Sequence, residues 1–490
     1  MNPFALVYLL AHMTPALIGF LAMILYSHLL SPAEYGVYVI GLSGAGVVSA
    51  IFFTWVRLSV SRYQARTPDV DLRHVAAIAY AATALVISVA SPIAILIIRP
   101  NVSLEILAGS LFLSLTLSAF EITQEFRRAK LNPARFATLA IVRSTLGLGL
   151  GLAAISLGGG GLGLLLGVAA SFLIANLATY LRTLTRAQRL YSSEYLTQFA
   201  RYGLPFSLGA ITFALHNSLD RLGIAYLLGE SAAGQYGLAA EMSRQLIGIL
   251  GASAASAMFP IAFRTLAESG PAATRARLAE GAELILALIV PVAIWLAIAG
   301  NVVAGTLLGA QFQSAVAMVL PLLALGRMCG AVNQLYLQVS FQLAEKPLLQ
   351  VVHDTLLLVV NLALLFPLTL VYGLAGTAAA VLIAEAFGIL VGVLLSRRAF
   401  RLPFIGGAVT RVFAATVFMA VVTYAAKTAL AGHGLATLAS VALLGGVSYA
   451  GAAILFNVAG IRATLELLLR GSGSIESVLP VRHNLGGEQP

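Results

Sequence analysis

The sequence predicts an all-α polytopic membrane protein: two parallel six-helix repeats followed by two C-terminal helices, fourteen transmembrane helices in all. Three observations lead there. The 490 residues are 60% hydrophobic and only 10% charged, where a soluble chain of this size carries roughly a quarter charged residues. Apolar stretches of about 20 residues, the length a helix needs to cross a bilayer, recur from the first residues to about residue 458. The first half of the chain also repeats in the second at a nearly fixed offset. The stretches are continuously apolar rather than alternating, which argues against a β-barrel.

The spans follow in order. The first covers about 5–29; residues 1–27 lack Lys and Arg, so they read as a helix and not as a cleaved leader. "SPAEYG" turns the chain into 35–57, and 74–98 follows. "RPNVS" opens 103–125, "LNPARF" opens 136–156 and "GGGGLG" opens 162–181. The second set runs 203–228, 234–258, 281–305 and 314–340, then "EKPL" leads to 349–371 and "YGLAG" to 375–396. Spans at 408–429 and 436–458 complete the count. Pro and Gly mark these joins because they end helices and permit tight turns. The implied organisation is an N-lobe over 1–200, a C-lobe over 201–400, two extra helices over 401–458 and a flexible polar tail over 459–490.

"LLSPAEYGVY" at 29–38 aligns with "LLGESAAGQY" at 227–236, an offset of 198 that pairs Gly36 with Gly234 and Tyr38 with Tyr236. Later, "GGLGLLLGVAASFLIANL" resembles "GLAGTAAAVLIAEAFGIL" at an offset near 213. Six spans per unit put both units in the membrane with the same orientation, related by a pseudo-two-fold along the membrane normal. The net charge of +10 sorts with topology. With residue 1 inside, 23 of the 29 Lys and Arg residues lie in cytoplasmic connections or the tail, and only Arg99 and Lys427 lie outside. Both termini are then cytoplasmic, and the basic balance is no nucleic-acid footprint. Arg143, Arg221, Arg244 and Arg327 remain deep in spans.

Enzymatic motifs are missing. Lys130, Lys346 and Lys427 are the only lysines, and none completes a phosphate-binding loop with "GGGGLG", which reads as a turn. No zincin pattern or nucleophile elbow occurs. Cys329 stands alone, so it forms no internal disulfide and reads as a small apolar filler.

"LSPAEYGVY" after the first span, "GLPFSLGAITFALHNSLDR" in the seventh and "LLGESAAGQYGLA" after it resemble the polysaccharide transporter branch of the MOP superfamily, the Wzx-type flippases of O-antigen and exopolysaccharide synthesis. The resemblance covers about residues 1–400 in pattern, and the two added helices suit fourteen-span members. It implies a MATE/MOP-like two-lobe bundle in the bacterial inner membrane. The implied work is transfer of undecaprenyl-diphosphate-linked oligosaccharide from the cytoplasmic to the periplasmic leaflet by alternating access. The implied partners are that lipid-linked sugar, membrane lipids, and polymerase and export machinery. No resident cofactor or metal is expected beyond a coupling proton or sodium ion. A cation-coupled exporter of drugs or small amphiphiles on the same fold is the alternative, although the first span lacks the acid of many such relatives. A membrane glycosyltransferase or polymerase is disfavoured by short, nearly uncharged outer loops.

The stretch 216–245 holds the most unusual chemistry. Asp220, Arg221 and Glu241 lie about ten residues from the turn near Ser231, and Arg244 about thirteen. The first three thus reach similar depth near the bilayer centre on adjacent antiparallel helices. A charge there costs about 2.5–3.5 kcal/mol on the insertion scale. The matching hairpin of the first repeat carries Ala22, Met23, Ser43 and Gly46, so the fold alone does not require these charges. Either they clip two helices together, or they wall a cavity between the lobes. In the second reading Arg221 or Arg244 contacts the pyrophosphate, because guanidinium forks match phosphate oxygens. Asp220 and Glu241 are then the counter-charges or ion-coupling acids. Arg57 either attracts the lipid diphosphate at the cytoplasmic mouth or anchors topology. Arg327 and His216 are divided between cavity lining and helix packing, and His12 between packing and a proton-linked cavity role. Arg143 is expected to snorkel. Glu385 is left without an assigned role, and His353, Asp354, Glu121, Glu125 and Glu283 are expected to be solvated near cytoplasmic ends.

Overall fold

Helices account for nearly all of the computed structural model, which describes residues 3–67, 70–98, 103–129, 133–186, 192–430, 432, 434–463 and 466. Arg99, Lys130, Arg189, Tyr191, Arg470 and Arg482, together with most of the expected tail, lie outside these residues. The first six helices are α1 (Pro3–Leu29), α2 (Pro32–Arg66), α3 (Arg73–Ile98), α4 (Leu104–Ala129), α5 (Pro133–Ser156) and α6 (Gly160–Arg186). The second set opens with α7 (Ser193–Leu228). The next helical run, Glu230–Leu307, is broken at Gly270, whose φ of 78° suits glycine and no helix, giving α8 (230–269) and α9 (271–307). Helix α10 (Ala310–Val332) continues through a π-helical turn at Asn333–Leu337 and one further turn at Val339–Leu343. The run Pro347–Ser396 breaks at Gly373, giving α11 (347–372) and α12 (374–396). The bundle ends with α13 (Gly406–Ala429) and α14 (Leu435–Leu455). Among the described residues, ten of these runs are long and apolar enough to cross a membrane, two of them the double runs. The fold is that of a multi-pass membrane protein.

The local signals explain the joins. Ser31 caps α2 through its hydroxyl to the Glu34 N–H, and Glu34 returns a carboxylate to the Ser31 N–H at 2.9 Å. With Pro32 in the first turn this reverses the chain within a few residues. Several helices run well past the apolar spans. Residues 259–280, expected as a loop, are helical on both sides of Gly270. The segment is rich in Ala, Leu, Glu and Arg, and two arginines pair along the helix, Arg264 with Glu268 at 2.7 Å and Arg277 with Glu280 at 2.9 Å. Helix α7 likewise begins ten residues before the apolar span that starts at 203. That extension packs on the extended end of α2, where Phe199 stacks on Tyr63 with ring centroids 5.7 Å apart and Ser59 donates to the Phe199 carbonyl at 2.8 Å.

The two halves meet symmetrically at the end of the bundle holding the α1–α2 and α7–α8 turns. A Cβ on Gly36 would lie 1.9 Å from the Glu230 carbonyl oxygen, and one on Gly234 would lie 2.0 Å from the Pro32 carbonyl oxygen. Residues 32 and 230, like 36 and 234, are repeat equivalents, so each half offers the same glycine to the same carbonyl of the other. This reciprocity is what a two-fold relation between parallel repeats produces. Only glycine permits so close a backbone approach. Helices α13 and α14 pack on each other and on α9. There Arg411 makes a two-pronged ion pair with Glu283 at 2.7 and 2.9 Å. Glu283, expected to be solvated, is therefore a partner in helix packing.

Candidate functional site

Between the halves lies a cavity of about 1520 Å³, walled by α1, α2 and α5 on one side and by α7, α8 and α10 on the other. Its charged lining, among the described residues, is four guanidinium groups, Arg143, Arg221, Arg244 and Arg327, against the single carboxylate of Glu241. Tyr26, Tyr35 and Tyr38 add an aromatic strip from α1 and α2. The wall is strongly basic.

Each arginine is held by a different device. Arg221 donates through Nη1 to the Asn217 carbonyl one turn back at 3.2 Å, and its Nη2 is buried without a protein partner. Arg327 donates from Nη1 to the Asn217 side-chain oxygen at 3.1 Å, and its Nε is also unpartnered. Asn217 therefore joins two guanidinium groups from α7 and α10, and each keeps an N–H in reserve. Buried unsatisfied donors are costly, and two on adjacent cations form a ready anion receptor. Arg244 is occupied: it grips Glu241 with a fork, Nε to Oε2 at 2.9 Å and Nη2 to Oε1, and Gln245 donates to the same carboxylate at 2.9 Å. Arg143 lies 3.7 Å above the centre of the Phe172 ring, a cation–π contact, with its Nε unpartnered.

The residues singled out from the sequence separate into groups. Arg221, Arg244, Arg327 and Glu241 are brought together on the cavity wall. Asp220 is not among them: it is buried, accepting from the Tyr236 hydroxyl at 3.2 Å and from the Arg221 backbone N–H at 2.8 Å. Arg57 pairs with Glu121 at 2.8 Å between α2 and α4, away from the cavity lining. His216 bonds Glu385 of α12 at 3.0 Å in a separate small pocket. His12 lies on α1, but its side chain is outside the described residues. Arg143, expected to snorkel, lines the cavity instead, because the aromatic face of Phe172 and the polar cavity hold its charge where it is. His353 and Asp354 are not solvated; they are buried against each other at 3.1 Å and against Gln338, two turns inside α11. Glu125 pairs with Arg128 at 2.9 Å.

Residues 25–317 match the model of a family described as polysaccharide biosynthesis protein. No curated protein matches the chain. The chain is similar to a solved structure of the lipid II flippase MurJ in an inward closed conformation, with a TM-score of 0.71 at 12% identity over 92% of this chain and 99% of that one. It is similar to an inward-facing multidrug resistance MATE family transporter of the MOP superfamily, with a TM-score of 0.56 at 16% identity over 80% of this chain and 97% of that one. A MOP superfamily transporter from Pyrococcus furiosus, described as having a binding pocket of reverse polarity, follows with a TM-score of 0.54 at 15% identity over 81% of this chain and 94% of that one. These likenesses establish the two-lobe MOP fold.

Proposed function

The chain belongs to the polysaccharide biosynthesis protein family, and we propose that it is a flippase that moves an undecaprenyl-diphosphate-linked oligosaccharide from the cytoplasmic to the periplasmic leaflet. The observation that carries this reading is the cavity with four arginines and one carboxylate. A diphosphate is a compact dianion that must cross an apolar layer. Arg221 and Arg327 offer it unpartnered N–H groups from two helices fixed by one asparagine, and guanidinium–phosphate contacts strengthen in a water-poor site. Arg143 approaches from the opposite half, so the anion draws the halves together as it binds. The polyprenyl chain stays in lipid. The same charge disfavours the alternative of a drug exporter for cationic amphiphiles, which four guanidinium groups repel.

The rocking bodies are the halves at 1–200 and 201–400, with 401–458 added at the side of α9. The end closed by Gly36 and Gly234 is periplasmic, and both termini are cytoplasmic in the bacterial inner membrane. Glu241 neutralises Arg244 in the empty cavity, and Asp220 sets the position of Arg221 through its backbone. Arg57, paired with Glu121, stands in the cytoplasmic half of α2, where it attracts the lipid diphosphate. Transport is ion-coupled. Polymerase and export machinery take up the product.

Replacing Arg221 by Ala removes charged hydrogen bonds worth about 1.5–3 kcal/mol each, which corresponds to about ten- to hundredfold weaker diphosphate binding. The test is leaflet-resolved measurement of lipid-linked sugar. Deleting the protein is expected to accumulate the sugar on the cytoplasmic side, and Arg221→Ala at wild-type abundance is expected to reproduce that. Unchanged periplasmic delivery after deletion would refute the proposal.

A further inference from the structure

Behind the wall formed by α7 and α10 lies a second polar pocket, lined in part by His216, Asn333, Gln338, Asp354 and Glu385. It measures about 10 Å³, the space of one water molecule. Phe213 and Gln334 line both this pocket and the large cavity, so the two are neighbours separated by a thin partition. The flippase reading leaves this cluster unused. We propose that His216 and Glu385, backed by His353 and Asp354, form a proton-binding site whose occupancy sets the affinity of the adjacent cavity for an anion.

The hydrogen bonds fix where protons sit. His353 Nε2 faces the Gly388 carbonyl at 3.0 Å. A carbonyl only accepts, so Nε2 carries hydrogen. Nδ1 faces the Asp354 Oδ1 at 3.1 Å. Two bare lone pairs would repel there, so one proton lies in that contact, on the ring or on the carboxyl. Gln350 donates to the Gln338 oxygen at 3.1 Å, which turns the Gln338 amide to donate to the same Asp354 oxygen at 2.8 Å.

The second dyad is variable. Asn333 donates to Glu385 Oε2 at 2.8 Å and to the Glu385 backbone carbonyl at 2.9 Å, which holds the carboxylate in place. His216 Nε2 meets Oε1 at 3.0 Å and donates to it. His216 Nδ1 then presents an unshared lone pair; it is buried and has no protein partner, and neither has the Asn333 side-chain oxygen. Gly330 makes room for the carboxylate, since a Cβ there would lie 2.8 Å from Oε1. Hydronium passes a proton to the Nδ1 lone pair: one of its O–H bonds breaks as the N–H bond forms, water leaves, and the dyad passes from one negative charge to neutral. Asn333 opens the π-helical turn at Asn333–Leu337; such turns are frequent at functional sites. The open imidazole lone pair of His216, in a pocket with the space of one water, suits a proton.

The site is coupled to the cavity through Arg327, which acts on Glu385 through space and bonds Asn217, the residue after His216. The other titratable groups around the dyad are Cys329 on α10, Asp220 one turn further along α7, and His353 and Asp354 on α11. When the dyad is neutral, the charge of Arg327 is no longer balanced from behind, and its pull on an anion in the cavity grows. Proton and anion therefore favour each other's binding, by the same factor in both directions.

The linkage rests on the flippase reading, because it needs an anionic ligand; the proton site itself does not. The test uses the full chain in lipid nanodiscs with farnesyl diphosphate as probe. Infrared difference spectra and probe affinity are recorded from about pH 5 to about pH 8, where imidazole titrates. The chain has seven histidines, so His216→Gln is expected to remove one component of the wild-type imidazole protonation signal, and Glu385→Gln to change that component. Its probe affinity is expected to fall with rising pH about tenfold more than that of His216→Gln; the slope left in the variant belongs to the probe's own phosphate. Glu385→Gln keeps the side-chain size and is read instead should His216→Gln aggregate. A His216→Gln spectrum that keeps every imidazole component of the wild type overturns the site. Probe binding with equal slopes in wild type and variant overturns the linkage alone. No binding in any protein at any pH overturns the linkage together with the flippase reading, while the spectra still decide the site.

Discussion

Asp220 and Arg221 are consecutive, so they point about 100° apart on one helix. Of the two only Arg221 lines the cavity, and the residues four positions back divide accordingly. Asn217 joins Arg221 on the wall, whereas His216 joins Asp220 on the packed side. Glu241 and Arg244, three apart, share a face and both line the cavity. That Arg221, Glu241 and Arg244 gather on one wall was legible from their spacing about the turn; the direction of Asp220 was not, because it depends on which face of α7 the other helices cover. Arg143 escaped for the same reason, since the ring that holds it, Phe172, sits on another helix. A separation of roles follows. Tyr236→Phe removes a hydrogen bond to buried Asp220, at a cost of about 1.5–3 kcal/mol. It is expected to lower the thermal midpoint in detergent while preserving diphosphate affinity. Arg221→Ala is expected to do the reverse. Midpoints and affinities that move together in both variants would mean the hairpin charges serve only to hold helices.

At the scale of elements, the reciprocal glycine contact turns a sequence repeat into a mechanical part. A methyl group at Gly36 or Gly234 would lie within about 2 Å of a carbonyl oxygen of the other half. Overpacking of this kind typically costs about 1–3 kcal/mol, and here opening the end relieves it. Gly36→Ala and Gly234→Ala are both expected to shift the population toward a state open at this end. Ser43→Cys, on the cavity wall, should then react faster with an impermeant maleimide; unchanged labelling would show that the contact does not gate the cavity. The motif "SPAEYG" announced the turn through its capping box and proline, and the offset of 198 announced its twin. What the sequence concealed was the length of the helices beyond the bilayer. Apolarity marks where lipid begins and ends, whereas 259–269 and 193–202 are held helical by ion pairs and by packing on α2, which hydropathy does not register.

For the whole molecule, the direction of transport depends on which end of the bundle faces the cytoplasm. The fold, with its near-symmetric halves, is indifferent to that choice; the distribution of Lys and Arg is not, and short loops rich in them stay inside. The α5–α6 turn carries no Lys or Arg, and Leu157 in it is 87% exposed. The α10–α11 turn carries Lys346, which bonds the Arg398 carbonyl at 2.8 Å and so gathers two basic connections at one end, beside exposed Glu345. In a Cys329→Ser background, which removes the lone and buried thiol, Leu157→Cys is expected to react with an impermeant maleimide on intact spheroplasts. Glu345→Cys is expected to react only after permeabilisation. The opposite pattern would place the Gly36–Gly234 closure on the cytoplasmic side. The arginine cavity would then be poised to receive its anion from the periplasm, and the proposed direction would have to be reversed even if every residue-scale prediction held.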